Sequence, residues 1–421
     1  MDTPRSTPVT FASRTLLALA AIAAIAPKAS ALDVTDDDFK LGLRLQLQVR
    51  AEKGWAKGAD GNRFDTTTNT ANVEPDDVDF SVRRARIGFI GTYKDVYRFA
   101  YILRNDEQDK ATSAPTSANT AVTSQNRVPQ THVAYLARDF KGETVTQQVR
   151  AGLDYAFFNG ASLNSAGWSP LVAARATEQA RMVAPRGVGV GYKYTAPKFT
   201  VGVDMQNNIN DDAGSTGQTR NGEGLFYGSR VEAILWDDAE KPHMKPQESF
   251  LGASGKGVLL TVDAGTNRGD NVGNTTTINT QAYGSELFVH LDALTVVAEA
   301  RMAKEVTHAA TESVIGRRIY LIQAAYALPA GDKIIEPAVR LTRIDLNDAA
   351  TEGGNYGTGT PAAEYGASGY QIELGATYYL NKNNHKVAFG FQHWKSEGGA
   401  TAGGVTNAKA DIVRVQWAFA F

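Results

Sequence analysis

The chain has 421 residues, no cysteine, 40 glycines and 14 prolines, and its 43 Lys+Arg nearly balance 45 Asp+Glu. Without cysteine there is no disulfide framework, no thiol nucleophile and no cysteine-ligated zinc or iron–sulfur centre, and the balanced charge argues against a dedicated nucleic-acid binder. Length alone suggests two or three soluble domains, but no composition break divides the chain, so a single closed domain fits.

At the N-terminus Arg5 and Arg14 precede an apolar run from Leu16 to Ala26, which ends in the small-x-small pattern Ala29-Ser30-Ala31. Residues 1–31 therefore read as a cleaved secretory signal and 32–421 as the exported domain. The run is too short to span a bilayer, and the charged stretch Asp33 to Asp38 follows it directly. No later apolar stretch approaches the roughly 20 residues that a transmembrane helix needs.

From Lys40 onward the chain alternates. Leu41, Leu43, Leu45, Leu47 and Val49 share one face, and Lys40, Arg44, Gln46, Gln48 and Arg50 share the other. A period of two is a strand with one apolar and one polar face. Comparable segments follow near 79–91, 93–104, 130–138, 145–154, 187–195, 198–206, 226–236, 256–267, 281–292, 293–304, 317–328, 332–344, 370–380 and 385–396. The chain closes in the same way, with Val413, Val415, Trp417, Phe419 and Phe421 opposite Arg414 and Gln416. Most segments are far longer than soluble strands and suit a tilted crossing of a hydrocarbon layer.

The connections alternate long (51–78, 105–129, 155–186, 207–225, 268–280, 305–316, 345–369, 397–410) and short, with one exception at 237–255, where Pro242 and Pro246 lie on the short side. Short periplasmic turns and longer extracellular loops are the rhythm of an outer-membrane barrel. A sandwich or solenoid also alternates but has no need of such strands. The expected fold is all-β: a transmembrane antiparallel up-and-down barrel of about 16 strands.

With apolar faces toward lipid, the polar faces line an interior too wide for side chains to fill. Arg44, Arg50, Arg84, Arg86, Arg98, Arg104, Arg150, Arg340 and Arg414 are the candidate anion-guiding residues, and Lys40, Arg138, Lys193, Arg230, Arg301 and Lys386 also read as inward. Asp154, Asp204, Glu232, Asp263, Glu286, Glu299, Glu336 and Glu373 oppose them. The cation excess points to anion preference, and the arginine fork suits carboxylate and phosphate oxygens. Many of these charges also read as cross-strand wall pairs, Glu336 with Arg340 among them. In 78–91 the apolar parity shifts from Phe80 and Val82 to Ala85, Ile87 and Phe89, which requires a bulge near Arg83. The longest connection, 155–186, carries Arg175, Glu178, Arg181 and Arg186; folded into the lumen it forms the constriction, and lying outside it forms a lid.

No catalytic arrangement emerges. The six histidines join no recognisable Ser or Asp constellation, and there is no HExxH, P-loop or nucleotide fingerprint. The aspartate runs at 36–38 and 76–79 lack calcium-loop spacing, so no metal and no cofactor are expected. The competing reading is a structural or adhesive barrel with little conductance.

Phe80-Ser81-Val82-Arg83-Arg84-Ala85-Arg86-Ile87-Gly88-Phe89-Ile90-Gly91 resembles the N-terminal signature of the phosphate-selective porin O and P family. Ala184-Pro185-Arg186-Gly187-Val188-Gly189-Val190 is similar to that family's loop exit, and Ile335-Glu336-Pro337-Ala338-Val339-Arg340 to a late strand. Ile372 to Asn381 resembles a strand and turn near its end, and Arg414-Val415-Gln416 with Phe421 its last strand. The resemblance implies a sixteen-stranded homotrimeric channel in outer-membrane lipid, a third long loop folded inward, and phosphate-like or polyphosphate-like anions as permeants guided by an arginine ladder and a lysine cluster. Only Arg83, Arg84 and Arg86 carry over by motif position. Where the family has Gly-x-x-Lys-x-Pro entering the third loop, this chain has Gly152-Leu153-Asp154-Tyr155-Ala156-Phe157, and 155–186 contains no lysine. General anion preference, rather than strict phosphate selectivity, is the expectation.

Overall fold

The computed structural model describes residues 33–57, 63–64, 79–105, 130–158, 186–207, 225–238, 256–271, 277–308, 313–347, 369–381, 384–396 and 409–420. Residues 1–31 lie outside them. Sixteen strands form the wall: β1 (Phe39–Lys57), β2 (Asp79–Tyr93), β3 (Tyr97–Arg104), β4 (Gln130–Lys141), β5 (Thr146–Tyr155), β6 (Arg186–Thr195), β7 (Phe199–Asn207), β8 (Leu225–Asp237), β9 (Lys256–Asn271), β10 (Thr277–Leu291), β11 (Leu294–His308), β12 (Ser313–Tyr326), β13 (Lys333–Asn347), β14 (Gly369–Asn381), β15 (His385–Ser396) and β16 (Lys409–Ala420). Short strands at Asp33–Thr35, Arg63–Phe64 and Leu328–Ala330 attach to this wall.

Each strand pairs antiparallel with its chain neighbour, and β16 returns to β1 from Lys409↔Lys57 to Ala420↔Gln46, closing the ring. Closure leaves no sheet edge, which is what lets strands span lipid. Leu136, Tyr101, Val190, Val231, Tyr283, Ile322, Leu341 and Phe389 are all exposed on the outer face, as one apolar belt around the ring. The inner face is the inverse, burying Thr261, Asp263, Arg301, Glu336, Arg340 and Glu373. This inside-out distribution is that of a membrane barrel.

The parity break in β2 is resolved by one extra residue. Gln48 pairs with Arg84 and Val49 with Val82, so Arg83 has no partner position. This bulge keeps Phe80 and Val82 outward while placing Arg84 and Arg86 inward. A second register shift, between Ile102 and Leu103, falls where β4 passes His132.

The short turns are built by residues that tolerate left-handed backbone: Lys94 and Asp95 (φ 53° and 50°), Asp292 (53°) and Gly331 (66°). Lys40 donates to Asp95 at 2.9 Å across the first of these turns, which holds that carboxyl below the ordinary carboxylate range.

Three expectations change. Segments 268–280 and 305–316 are mostly strand, because β9 runs to Asn271, β10 starts at Thr277, β11 runs to His308 and β12 starts at Ser313. Arg138 faces outward, not into the lumen. β4 continues to Lys141, Arg138 pairs with outward Tyr97, and its guanidinium lies 5.6 Å from the Tyr97 ring and 4.8 Å from the Phe140 ring. The inward position is taken by Asp139. Third, Arg186 is not a loop residue; it opens β6, paired with Tyr155.

Gly152 in β5 has φ +126°, and a Cβ there would lie 2.3 Å from the Ala134 carbonyl oxygen. Gly152→Ala is therefore expected to cost about 1–3 kcal/mol and to lower the urea midpoint of the detergent-refolded barrel. An unchanged midpoint would mean that the backbone relaxes there without strain.

Candidate functional site

The third long connection leaves β5 inward. Arg150 on β5 donates to Asp154 and to the Tyr155 carbonyl, and its Nη2 lies 3.4 Å from Asp204 Oδ2 on β7. Asp204 also accepts the Phe157 backbone N–H at 2.9 Å and Gln206 Nε2 at 2.8 Å. A wall carboxylate thus ties the start of the connection to the lumen side. The Phe157 ring lies 4.1 Å from the Arg150 guanidinium, over two inward glycines. A Cβ on Gly202 would lie 2.8 Å from that ring and one on Gly191 3.1 Å. Phe158 meets Phe226 edge-on at 6.3 Å, lies 5.2 Å from the Arg301 guanidinium and packs with Ala156, Ala282, Ala303 and Ile319. Small inward residues on the β6–β11 wall therefore form a slot in which Ala156, Phe157 and Phe158 run inside the barrel. Arg175, Glu178 and Arg181 lie outside the described residues.

The far wall is an ion-pair lattice. Arg301 makes two hydrogen bonds to Asp263, at 2.9 and 2.8 Å, and contacts Glu299. Arg230 bridges Glu232 at 2.7 Å and Asp263 at 3.5 Å. Arg340 is paired with Glu373 directly opposite. Tyr379 donates to Glu336 at 2.5 Å. At the closure, Arg414 donates to Glu52 at 3.0 Å and to Gln392, while Arg50 donates to Gln416 at 3.3 and 3.0 Å and lies 3.8 Å from Glu52. Such cross-strand pairs satisfy groups that the closed wall has removed from water.

The remaining candidates lie on β1 to β4. Arg84, opposite Gln48, is buried, and Arg86 sits half-buried between Gln46 and Arg104. Arg104 donates to Gln130 at 3.3 Å. Arg44, opposite Gly88, is exposed and makes no ion pair among the described residues. Arg98 donates to Asp139 at 2.6 Å, yet 51% of its side chain is exposed while that of Asp139 is fully enclosed. Gln148 on β5 donates to the other Asp139 oxygen at 2.7 Å. Next to Gln148, half-buried Lys193 on β6 makes no ion pair among the described residues.

The lumen charges therefore differ in access. Asp139, Asp204 and Asp263 have fully enclosed side chains, Glu299 and Glu373 nearly so, and among the described residues the most open paired lumen carboxylate is Glu232, at 25%. Among the described lumen side chains the most exposed charges are cations, Arg44 and Arg98 foremost. Sequence reasoning missed Glu52 and Asp139 as inward carboxylates and Phe157 and Phe158 as slot residues. For Asp139 the signal was present in β4, since Ala137 and Asp139 share a parity opposite Leu136 and Phe140. Among the described residues no group of three or more His, Asp or Glu side chains is gathered as a metal site would need.

No curated protein sequence matches the chain. Several solved barrels share its fold: outer-membrane expressed OmpT of Vibrio cholerae (12% identity over 92% of this chain and all of that chain, TM-score 0.53), OprB of Pseudomonas putida (12%, 91% and 94%, TM-score 0.52) and an anion-selective porin from Comamonas acidovorans (13%, 91% and 100%, TM-score 0.51). At such identities the likeness concerns architecture alone. The sequence itself goes further: residues 57–281, more than half of the chain, match the family model for phosphate-selective porin O and P. With a ring of sixteen strands, an outward apolar belt and a charged lumen behind that match, the chain belongs to the phosphate-selective porin O and P family, a family of outer-membrane diffusion channels.

Proposed function

We propose that this outer-membrane channel passes small anions in preference to cations, with phosphate-like ions among its permeants. The observation that carries this reading is the difference in access between the two signs of lumen charge: Arg98 presents 51% of its side chain while its partner Asp139 presents none, and exposed Arg44 has no ion pair among the described residues. A permeating ion responds to the charge it can approach, because pairs enclosed in the wall largely cancel at a distance. Family membership and the anion-selective barrel from Comamonas acidovorans point the same way. In this reading residues 1–31 are the export signal, the mature chain assembles as a homotrimer in outer-membrane lipid, and the third long connection, with Arg175, Glu178 and Arg181, is the constriction.

Reversal potential in a KCl gradient, followed by phosphate titration of the chloride current, tests the proposal on purified full-length protein. Anion selectivity with a chloride current reduced by millimolar phosphate is expected. Cation selectivity would overturn the reading, current indifferent to phosphate would leave a general anion pore, and silent bilayers would favour a structural barrel.

The constriction assignment has its own test. In Gly202→Val the new side chain displaces Phe157, at an overpacking cost of about 1–3 kcal/mol, and detaches the start of the connection from Asp204. Single-channel conductance should rise while the barrel still shows the gel mobility of the folded form. Unchanged conductance would place the constriction elsewhere.

A further inference from the structure

The lumen faces of β1 to β4 carry an apolar patch as well as cations. Residues directly opposite each other in neighbouring strands share a face. One inward row is Gly42↔Ile90↔Ala100↔Tyr135, and the next toward the long connections is Arg44↔Gly88↔Ile102↔Val133. Their inward sense follows from their strand neighbours Ile87, Phe89, Tyr101 and Leu136, which are exposed on the outer face. Ile90, Ile102 and Tyr135 are half-buried and are separated by Gly88 and Ala100, which have little or no side chain. Gly88 is required at its position, because a Cβ there would lie 2.2 Å from the Tyr101 carbonyl oxygen and 2.9 Å from Ile102 Cγ1. The result is a shallow apolar recess in a wall otherwise lined by charge.

Cations bracket this recess. Arg44 begins the upper row, and Arg98 stands one row below the Ile90 row, in Lys40↔Thr92↔Arg98↔Ala137. Successive inward rows are two residues, roughly 7 Å, apart, so both exposed arginines start within side-chain reach of the apolar rows. Segments 40–48, 86–92, 98–104 and 130–138 contain no Asp or Glu. The inward carboxylate next along β4, Asp139, is enclosed and accepts from Arg98 at 2.6 Å and Gln148 at 2.7 Å. On β9 to β12, by contrast, the inward apolar side chains Leu259, Phe288, Val297, Ile319 and Leu321 are at most 7% exposed. They belong to packed interior and offer a solute no surface.

We propose that the recess is a subsite for an aromatic monocarboxylate, with the ring on Ile90, Ile102 and Tyr135 and the carboxylate on Arg98. The ring removes half-buried apolar surface from water and gains an aromatic contact with Tyr135. The carboxylate gains a charge-assisted hydrogen bond in the field of Arg44. An inorganic anion or a small aliphatic acid uses only the second of these. The site rests on the reading that permeating anions pass this wall, and it extends the solute class from inorganic ions to organic acids with an apolar body.

The test is inhibition of the chloride current of purified full-length protein in planar bilayers by benzoate and by acetate, which share a carboxylate and differ in the ring. In wild type benzoate should act at concentrations at least about fivefold below acetate, the gain from roughly 40 Å² of ring covered at about 25 cal/mol per Å². Ile90→Ser combined with Ile102→Ser should remove most of that difference and leave the reversal potential in KCl at the wild-type value. Arg98→Gln should weaken both acids and keep their ratio. Equal potency of the two acids in an anion-selective wild type, or an unchanged ratio in the serine pair, overturns the site alone. Cation selectivity of the wild type overturns the reading beneath it. Should the serine pair fail to fold, Tyr135→Ser carries the same comparison.

Discussion

Replacing Arg98 by Glu is expected to lower the chloride-over-potassium permeability ratio severalfold. Arg98 is the pair member that faces the water-filled interior, with 51% of its side chain open against none for Asp139. The substitution changes the charge seen by a passing ion by two units. At roughly 8 Å in water, two unit charges amount to about 1 kcal/mol, or about fivefold, in opposite directions for anion and cation. Salt reduces this, so the shift in reversal potential should be larger at low ionic strength. Arg44→Glu should act in the same direction, and the two changes should nearly add if the residues act independently. Arg340→Gln serves as the contrast: Arg340 is 2% exposed and paired with Glu373, so its loss should disturb stability more than selectivity. An unchanged reversal potential in both Glu variants would show that the permeation path does not pass these side chains.

The strand count, the ring order and the bulge at Arg83 were legible in the sequence because each follows from alternation, a local property. Phe80 and Val82 fall on one parity, Ile87 and Phe89 on the other, and both sets must meet lipid, so one extra residue is required between them. Strand ends were less legible. Arg268 to Asn271 contains polar residues and a glycine, and nothing local says that β9 continues through them; pairing with β10 supplies the reason. The same limit misplaced Arg138: with β4 read as ending there, its charge argued for the lumen, whereas the aromatic rings of Tyr97 and Phe140 accommodate it outside.

The inward arginines could be identified from parity, but their accessibility could not. Which charges a solute meets depends on cross-strand partners far apart in sequence, such as Arg50 with Gln416 or Arg98 with Asp139, and on what folds against them. Phe158, a residue of the third connection, covers Arg301. Composition counts Arg98 and Arg301 alike, and only the folded ring separates an exposed guanidinium from an enclosed one.

Arg301→Met should have the largest effect on stability. The guanidinium is 1% exposed and holds two carboxylates, Asp263 through two hydrogen bonds and Glu299 by contact. Both carboxylates are enclosed, and without Arg301 Asp263 keeps only Arg230 at 3.5 Å. Removing one partner of a buried charge set typically costs about 3–5 kcal/mol, because the charge left behind can regain neither its partner nor water. The urea midpoint of the refolded barrel should fall accordingly. The cause is separable from lost packing, since methionine keeps much of the aliphatic volume against Phe158 and Gly284. Neutralising the carboxylates as well, with Asp263→Asn and Glu299→Gln, should recover most of the midpoint, because uncharged amides no longer demand a cation. If the triple variant is as unstable as Arg301→Met, the lattice stabilises through shape rather than charge, and the wall charges opposite the cationic side of the lumen serve packing instead of compensation.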